Sequence, residues 1–237
     1  GSDAVITICP ALAEHVDQKM IPVDRHFLLE NCIFDPVRLK KGSQVNPEAD
    51  DLDLPEQGII VLYAGTFESY QGIDMLLESF KILLSHRSDS HLVLFGGTPH
   101  QVREMVVFAK KLGIGRFCHF HGQVPMATVD ACITKSTMLT SPRKVGTNTP
   151  LKIYQQLASG IPLVATRIPS HTQVLNDEVC FLARPDSISF ANAMLDVLYK
   201  PDLVRQRTSA AQLLFRQRFT RAKYDEKIRD MLMVLER

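Results

Sequence analysis

The apolar positions of this chain switch repeatedly between two spacings, and that switching predicts the fold. Continuous apolar runs mark strands buried on both faces: Ile59-Ile60-Val61-Leu62-Tyr63-Ala64, then Leu92-Val93-Leu94-Phe95, then Leu163-Val164-Ala165. Between them the apolar residues recur at helical spacing. Ile73, Leu76, Leu77, Phe80, Leu83 and Leu84 line one face of a long helix. Shorter runs at 4–9, 26–29, 117–121, 138–140 and 179–183 predict further strands. Helices are expected over 10–20, 101–112, 129–133, 150–159, 171–175, 188–198, 201–215 and 222–235. Such alternation predicts an α/β fold with a doubly wound, mainly parallel, Rossmann-like sheet. Ligands of these sheets bind at the carboxyl ends of the strands, which brings forward three loops at 65–72, 96–100 and 141–149.

The third loop opens the most informative stretch, 141–166. Thr147, Asn148 and Thr149 are all good N-cap types, and Pro150 suits a first helical position. Leu151, Tyr154 and Leu157, with Ile153 beside them, form an apolar helical face. Ser159-Gly160 ends the helix, and Pro162 forbids its continuation. The helix start then points free N–H groups at a Gly146-containing loop that carries Arg143 and Lys144, with Lys152 in its first turn. That combination suits an anion, and a phosphate best. The plainer explanation is a well-capped helix with solvated charges.

Composition narrows the function classes. The chain has 237 residues, 45% of them hydrophobic, with a formal net charge of +1. That is ample for a core, and the near-neutral balance argues against a dedicated nucleic-acid protein. Cys9, Cys32, Cys118, Cys132 and Cys180 are odd in number and scattered, which fits buried, reduced thiols in a cytoplasmic protein. His119 and His121 share a strand face without an evident third ligand, so no metal is expected. No apolar run reaches membrane-spanning length, although peripheral membrane contact stays open. Gly1-Ser2 looks like a cloning scar ahead of an excised fragment. Residues 40–58 are polar, acidic in their second half, and hold Pro47 and Pro55, the marks of a linker or mobile loop.

Dinucleotide and nucleoside-triphosphate folds share the strand–glycine–helix signature, but their spacings are missing. Gly65 and Gly72 do not make G-x-G-x-x-G, Gly96-Gly97 is followed by Thr98-Pro99, and no Walker A spacing occurs.

The stretch from Pro150-Leu151-Lys152-Ile153-Tyr154-Gln155 through Ala158-Ser159-Gly160-Ile161-Pro162-Leu163-Val164-Ala165-Thr166 resembles the nucleotide-sugar signature of GT-B retaining glycosyltransferases of group 1 (family four). The resemblance implies the C-terminal half of a GT-B enzyme, which binds a nucleotide-diphosphate sugar without a cofactor. It assigns 1–35 to the end of an N-terminal acceptor-side domain, 36–58 to a linker and 59–237 to the donor-binding domain. Most of the N-terminal domain is absent, so the fragment alone is expected to be inactive. Within the first loop, Gly65 and Gly72 match the family, yet its two basic positions hold Thr66 and Gln71. Two frequent glutamates fall on Gln155 and Thr147, and a third on Gln173. The resemblance therefore implies a rewired site, with Arg143 and Lys152 supplying the diphosphate charge and serving catalysis. Gly65, Thr66, Gln71, Gly72, Gly146, Thr147, Asn148, Thr149 and Gln155 would complete the donor pocket. Loss of activity, a non-catalytic nucleotide-binding or interaction module, and a GT-B nucleotide-sugar epimerase are the alternatives.

Overall fold

The computed structural model describes residues 4–17, 25–32, 55 and 57–236. Most of the expected linker lies outside them. Two sheets are present among the described residues. The small one pairs β1 (Val5–Thr7) with β2 (His26–Leu28) in parallel, and α1 (Pro10–Asp17) crosses between them. The large one has six strands: β3 (Ile59–Ala64), β4 (Ser90–Phe95), β5 (Cys118–Gly122), β6 (Met138–Ser141), β7 (Leu163–Thr166) and β8 (Phe181–Ala183).

Every pairing in the large sheet is parallel, and the spatial order is β5-β4-β3-β6-β7-β8. Chain order thus runs outward from β3 to one edge, then jumps back to β6 and runs to the other. That reversal is the topological switch point of a doubly wound sheet, where a crevice opens beyond the strand ends.

Connections are supplied by α2 (Ile73–His86), α3 (Pro99–Lys111), α4 (Met126–Lys135), α5 (Lys152–Ser159), α6 (Pro169–Thr172) and α7 (Ser187–Tyr199), and α8 (Pro201–Arg218) and α9 (Arg221–Leu235) close the chain. Each face of the sheet carries one core. Ile59, Val61 and Tyr63 of β3 point into a cluster with Leu76, Phe80, Phe190 and Met194. The alternate residues Ile60 and Leu62 join Ile133, Ile153, Leu157 and Phe219 on the other side. This period of two, with both phases buried, is why β3 reads as an unbroken apolar run.

Most expected elements lie within two or three residues of their predicted bounds. The α3 helix starts earlier than its apolar pattern because Thr98 caps it reciprocally with Gln101 and Pro99 takes the first turn. His91 Nδ1 lies 3.1 Å from His119 Nε2 across β4 and β5, so the histidines of this edge engage one another. Two polar ties bind the β1–β2 unit to the rest. Glu30, only 4% exposed, accepts hydrogen bonds from Arg218 at 3.0 and 3.2 Å and from Lys227 at 3.3 Å. The Gln173 Oε1 atom accepts the Ala11 N–H at 2.8 Å.

Candidate functional site

The switch point places the ends of β3 and β6 side by side, and the loops that leave them are stitched together. The loop after β3 turns through a short 3-10 segment, Ser69–Gln71, and enters α2 at Gly72. Gly72 has φ +73°, and a Cβ there would stand 2.2 Å from the Pro142 carbonyl oxygen. Only glycine lets the two loops approach so closely. Across this contact the Lys144 N–H donates to the Tyr70 carbonyl at 2.8 Å, and Lys144 Nζ pairs with Asp74 at 2.6 Å.

Arg143 points the other way. Its Nε donates to the Val145 carbonyl at 2.9 Å and its Nη1 to the Asn148 carbonyl at 3.1 Å. The guanidinium carbon sits 5.1 Å from the centre of the Tyr70 ring. Gly146, at φ +148°, packs directly on this group: a Cβ would be 2.5 Å from the Arg143 Cζ and Nη2 atoms. The loop carbonyls thus hold two of the five guanidinium N–H groups and orient the remainder.

Lys152 opens α5. Its Nζ lies 4.2 Å over the Tyr63 ring and 3.4 Å from the Ala64 carbonyl at the end of β3. Among the described residues it has no carboxylate partner, and burial with Arg143 close by lowers its pKa from 10.5 to about 7. Tyr63 is itself braced, since its hydroxyl donates to the Thr66 carbonyl at 2.7 Å. Beneath this surface lies His171, fully buried, with Nε2 3.0 Å from Ser141 Oγ and Nδ1 2.8 Å from the Thr166 carbonyl.

The expected capping at the start of α5 is corrected by the structure. Thr147, Asn148 and Thr149 do not cap the helix, and Pro150 is not its first residue; the helix runs from Lys152, Leu151 in the cap position already has helical backbone angles (φ −55°, ψ −36°), and no side chain caps it. The physical reason is a tight turn, in which Ile153 N–H bonds to the Pro150 carbonyl at 3.0 Å and Tyr154 N–H to the Leu151 carbonyl at 3.2 Å. Those bonds hold the first turn without a hydroxyl. The Leu151 and Lys152 N–H groups are left without a backbone acceptor among the described residues.

The remaining predicted residues fall in two groups. Gly65, Thr66, Gln71 and Gly72 line one loop, where Gln71 Nε2 lies 3.4 Å from Thr66 Oγ1. Gly146, Thr147 and Asn148 belong to the Arg143 loop, and Gln173 Nε2 donates to the Thr147 carbonyl at 2.5 Å. Thr149 is buried. Gln155 is turned toward α4, where its Nε2 donates to Asp130. It lines a shallow pocket with Leu62, Ala64, Ile133, Leu139, Lys152 and Gln156. Burial raises the Asp130 carboxyl pKa, with the Gln155 hydrogen bond opposing the shift.

Sequence reasoning missed Tyr63, Tyr70, Asp74, Asp130 and His171. Tyr70 sits inside a loop already singled out, but its stacking under Arg143 depends on a contact between two loops. Asp130 and Asp74 read as ordinary polar helix positions until the fold pairs them.

The fold has known counterparts. Sucrose-phosphate synthase from Thermosynechococcus elongatus superposes with a TM-score of 0.80 at 19% identity, over 99% of this chain and 59% of that one. Anabaena HepE, solved in complex with UDP, gives a TM-score of 0.84 at 16% identity, over 98% of this chain and 64% of that one. In sequence, the chain is 27% identical over 194 residues to a phosphatidyl-myo-inositol mannosyltransferase of Mycobacterium leprae, which covers 79% of this chain. It spans 50% of that relative's length. A sequence profile of the group 1 glycosyl transferases matches residues 45–213, well over half of the chain, and the chain therefore belongs to that family.

Proposed function

We propose that this chain is the donor-binding half of a GT-B glycosyltransferase that moves a sugar from a nucleotide-diphosphate donor to a hydroxyl acceptor with retention. One observation carries the reading. Arg143 and Lys152, two cations without a carboxylate partner among the described residues, meet at the start of α5 beside the switch point. Two like charges held together in a half-buried crevice cost free energy unless an anion joins them. A diphosphate supplies that anion, and its departure as a leaving group is what Arg143, Lys152 and the free N–H groups of α5 would stabilise. The UDP complex of the structural relative HepE is consistent with a nucleotide ligand.

The other polar groups take supporting roles in this reading. Gln155, with its amide committed to Asp130, offers Oε1 to a ribose or sugar hydroxyl, and Thr147 offers its own hydroxyl. Thr66, Gln71, Gly65 and Gly72 wall the opposite side. The segment 1–35 would belong to an acceptor-side domain, 36–58 to the linker and 59–237 to the donor domain. No described helix is long and apolar enough to cross a membrane, and we place the enzyme in the cytoplasm.

Joined to an N-terminal domain, the chain is expected to consume a UDP-, GDP- or ADP-sugar only when a hydroxyl acceptor is present, giving a product of retained anomeric configuration. Interconversion of the free donor without an acceptor would identify an epimerase instead, and turnover of none of the three donors would reject the transferase reading.

Gly146 gives a local test. An alanine there meets both a left-handed φ of +148° and the Arg143 guanidinium at 2.5 Å. Gly146→Ala is expected to weaken nucleoside-diphosphate binding about tenfold while the melting temperature stays within a few degrees, because the strain is confined to a surface loop. Unaltered affinity would show that Arg143 has no role in binding.

A further inference from the structure

Above β6 and β7 lies a buried polar chain that the proposed chemistry does not use directly. The polarity of every bond in it can be assigned from valence alone. The Thr166 carbonyl can only accept, so His171 Nδ1, 2.8 Å away, carries the proton. Burial holds the His171 pKa down at about 4, so the ring is neutral and Nε2 has a lone pair. Ser141, 3.0 Å from Nε2, must therefore donate its hydroxyl proton. The Arg143 carbonyl likewise only accepts, so Thr166 Oγ1 donates to it. The same Oγ1 lies 3.1 Å from His171 Nδ1 and shares its proton.

These bonds hold the chain on both sides of Pro142. Ser141 is fixed through its side chain and Arg143 through its carbonyl, both by the one imidazole and Thr166 beside it. Pro142 has no N–H with which to join a ladder, so the strand ends here without its own backbone anchor. His171 is fully buried with both ring nitrogens committed, which excludes contact with a ligand.

We propose that His171 is a positioning residue for the diphosphate clamp: through Ser141 and Thr166 it fixes the backbone of Arg143, so that the guanidinium lies over Tyr70 and faces the start of α5. The proposal rests on the donor-site reading. Its effect is selective for the phosphates, because only the Arg143 segment hangs from the chain, whereas the Gln155 and Asp130 side of the pocket stands on α4 and α5.

The test compares the unaltered chain with Thr166→Val, Thr166→Ser and Ser141→Ala by calorimetric titration with UDP, GDP, ADP and the three parent nucleosides. Thr166→Val removes the hydroxyl at nearly constant volume. It is expected to weaken diphosphate binding about fivefold, the equivalent of one lost hydrogen bond, and to leave nucleoside binding unchanged. Thr166→Ser keeps the hydroxyl and is expected to bind as the unaltered chain does. Should Thr166→Val not fold, Ser141→Ala cuts the other arm and is expected to show the same selectivity. Unchanged diphosphate affinity in a folded Thr166→Val or Ser141→Ala variant, or an equal loss for diphosphate and nucleoside, overturns the proposal. If the unaltered chain binds none of the diphosphates, the donor-site reading fails and takes this inference with it.

Discussion

Arg143→Ala is expected to lower the affinity for a nucleoside diphosphate about tenfold or more, and to leave the corresponding nucleoside almost unaffected. The size follows from the loss of a charge-assisted hydrogen bond, worth about 1.5–3 kcal/mol. The guanidinium is already paired with the Val145 and Asn148 carbonyls and stacked on Tyr70, so little rotamer freedom is lost when an anion arrives. Lys144 provides the internal control. It is the adjacent cation in sequence, yet it spends its charge on Asp74 at 2.6 Å. Lys144→Ala is therefore expected to change diphosphate affinity by less than about threefold, since an exposed ion pair contributes little. Titration of both variants with UDP, GDP and ADP decides the matter. A Lys144→Ala effect larger than that of Arg143→Ala would invert the assignment of the clamp.

Diphosphate binding is expected to draw a proton onto Lys152. In the ligand-free chain burial, with Arg143 adding to it, lowers the Lys152 pKa from 10.5 to about 7, so the amine is largely neutral at pH 8. A bound diphosphate favours the ammonium and raises that pKa again. Binding at pH 8 should then take up about one proton, and the affinity should fall as pH rises through the region above 7. Calorimetry in buffers of different ionisation enthalpy measures the uptake directly. In Lys152→Met it should vanish, together with about a tenfold share of the affinity near neutral pH. Equal proton uptake in the two proteins would mean that another group titrates.

The same depression has a consequence for folding. The folded state holds this proton less tightly than the unfolded chain does. Lys152 therefore opposes folding at low pH, and that penalty is relieved as pH rises from about 7 toward 10.5.

The fold was legible because its signals are local. Ile59–Ala64 is apolar on both faces, α2 repeats its leucines at helical spacing, and Ser159-Gly160 with Pro162 punctuates α5 and β7. Strand ends then locate the loops, and the loops locate Arg143 and Lys152. What the sequence hid are contacts between distant segments. Lys144 reaches Asp74 across 70 positions and Gln155 reaches Asp130 across 25. The first depends on the pairing of β3 with β6 and the second on how the helices before and after β6 pack, which no short window of sequence contains. The capping expectation failed for a different reason. Thr147, Asn148 and Thr149 have the right chemistry, but Gly146 and the Arg143 bonds bend the loop around the guanidinium, and the helix starts only at Lys152. Cap propensity is a local preference, and the tertiary demand of the loop overrode it.

An anionic diphosphate is expected to sit at the start of α5 between Arg143 and Lys152. A nuclear magnetic resonance titration of the chain with UDP, GDP, ADP and inorganic pyrophosphate reads that placement residue by residue. The amide signals of Gly146, Leu151 and Lys152 and the Arg143 Nε–H signal are expected to move together on addition of at least one of the nucleotides. Pyrophosphate should move the same set more weakly. Shifts confined to the 96–100 loop or to the outer face of the closing helices, with the Arg143 and Lys152 signals unmoved, would contradict it.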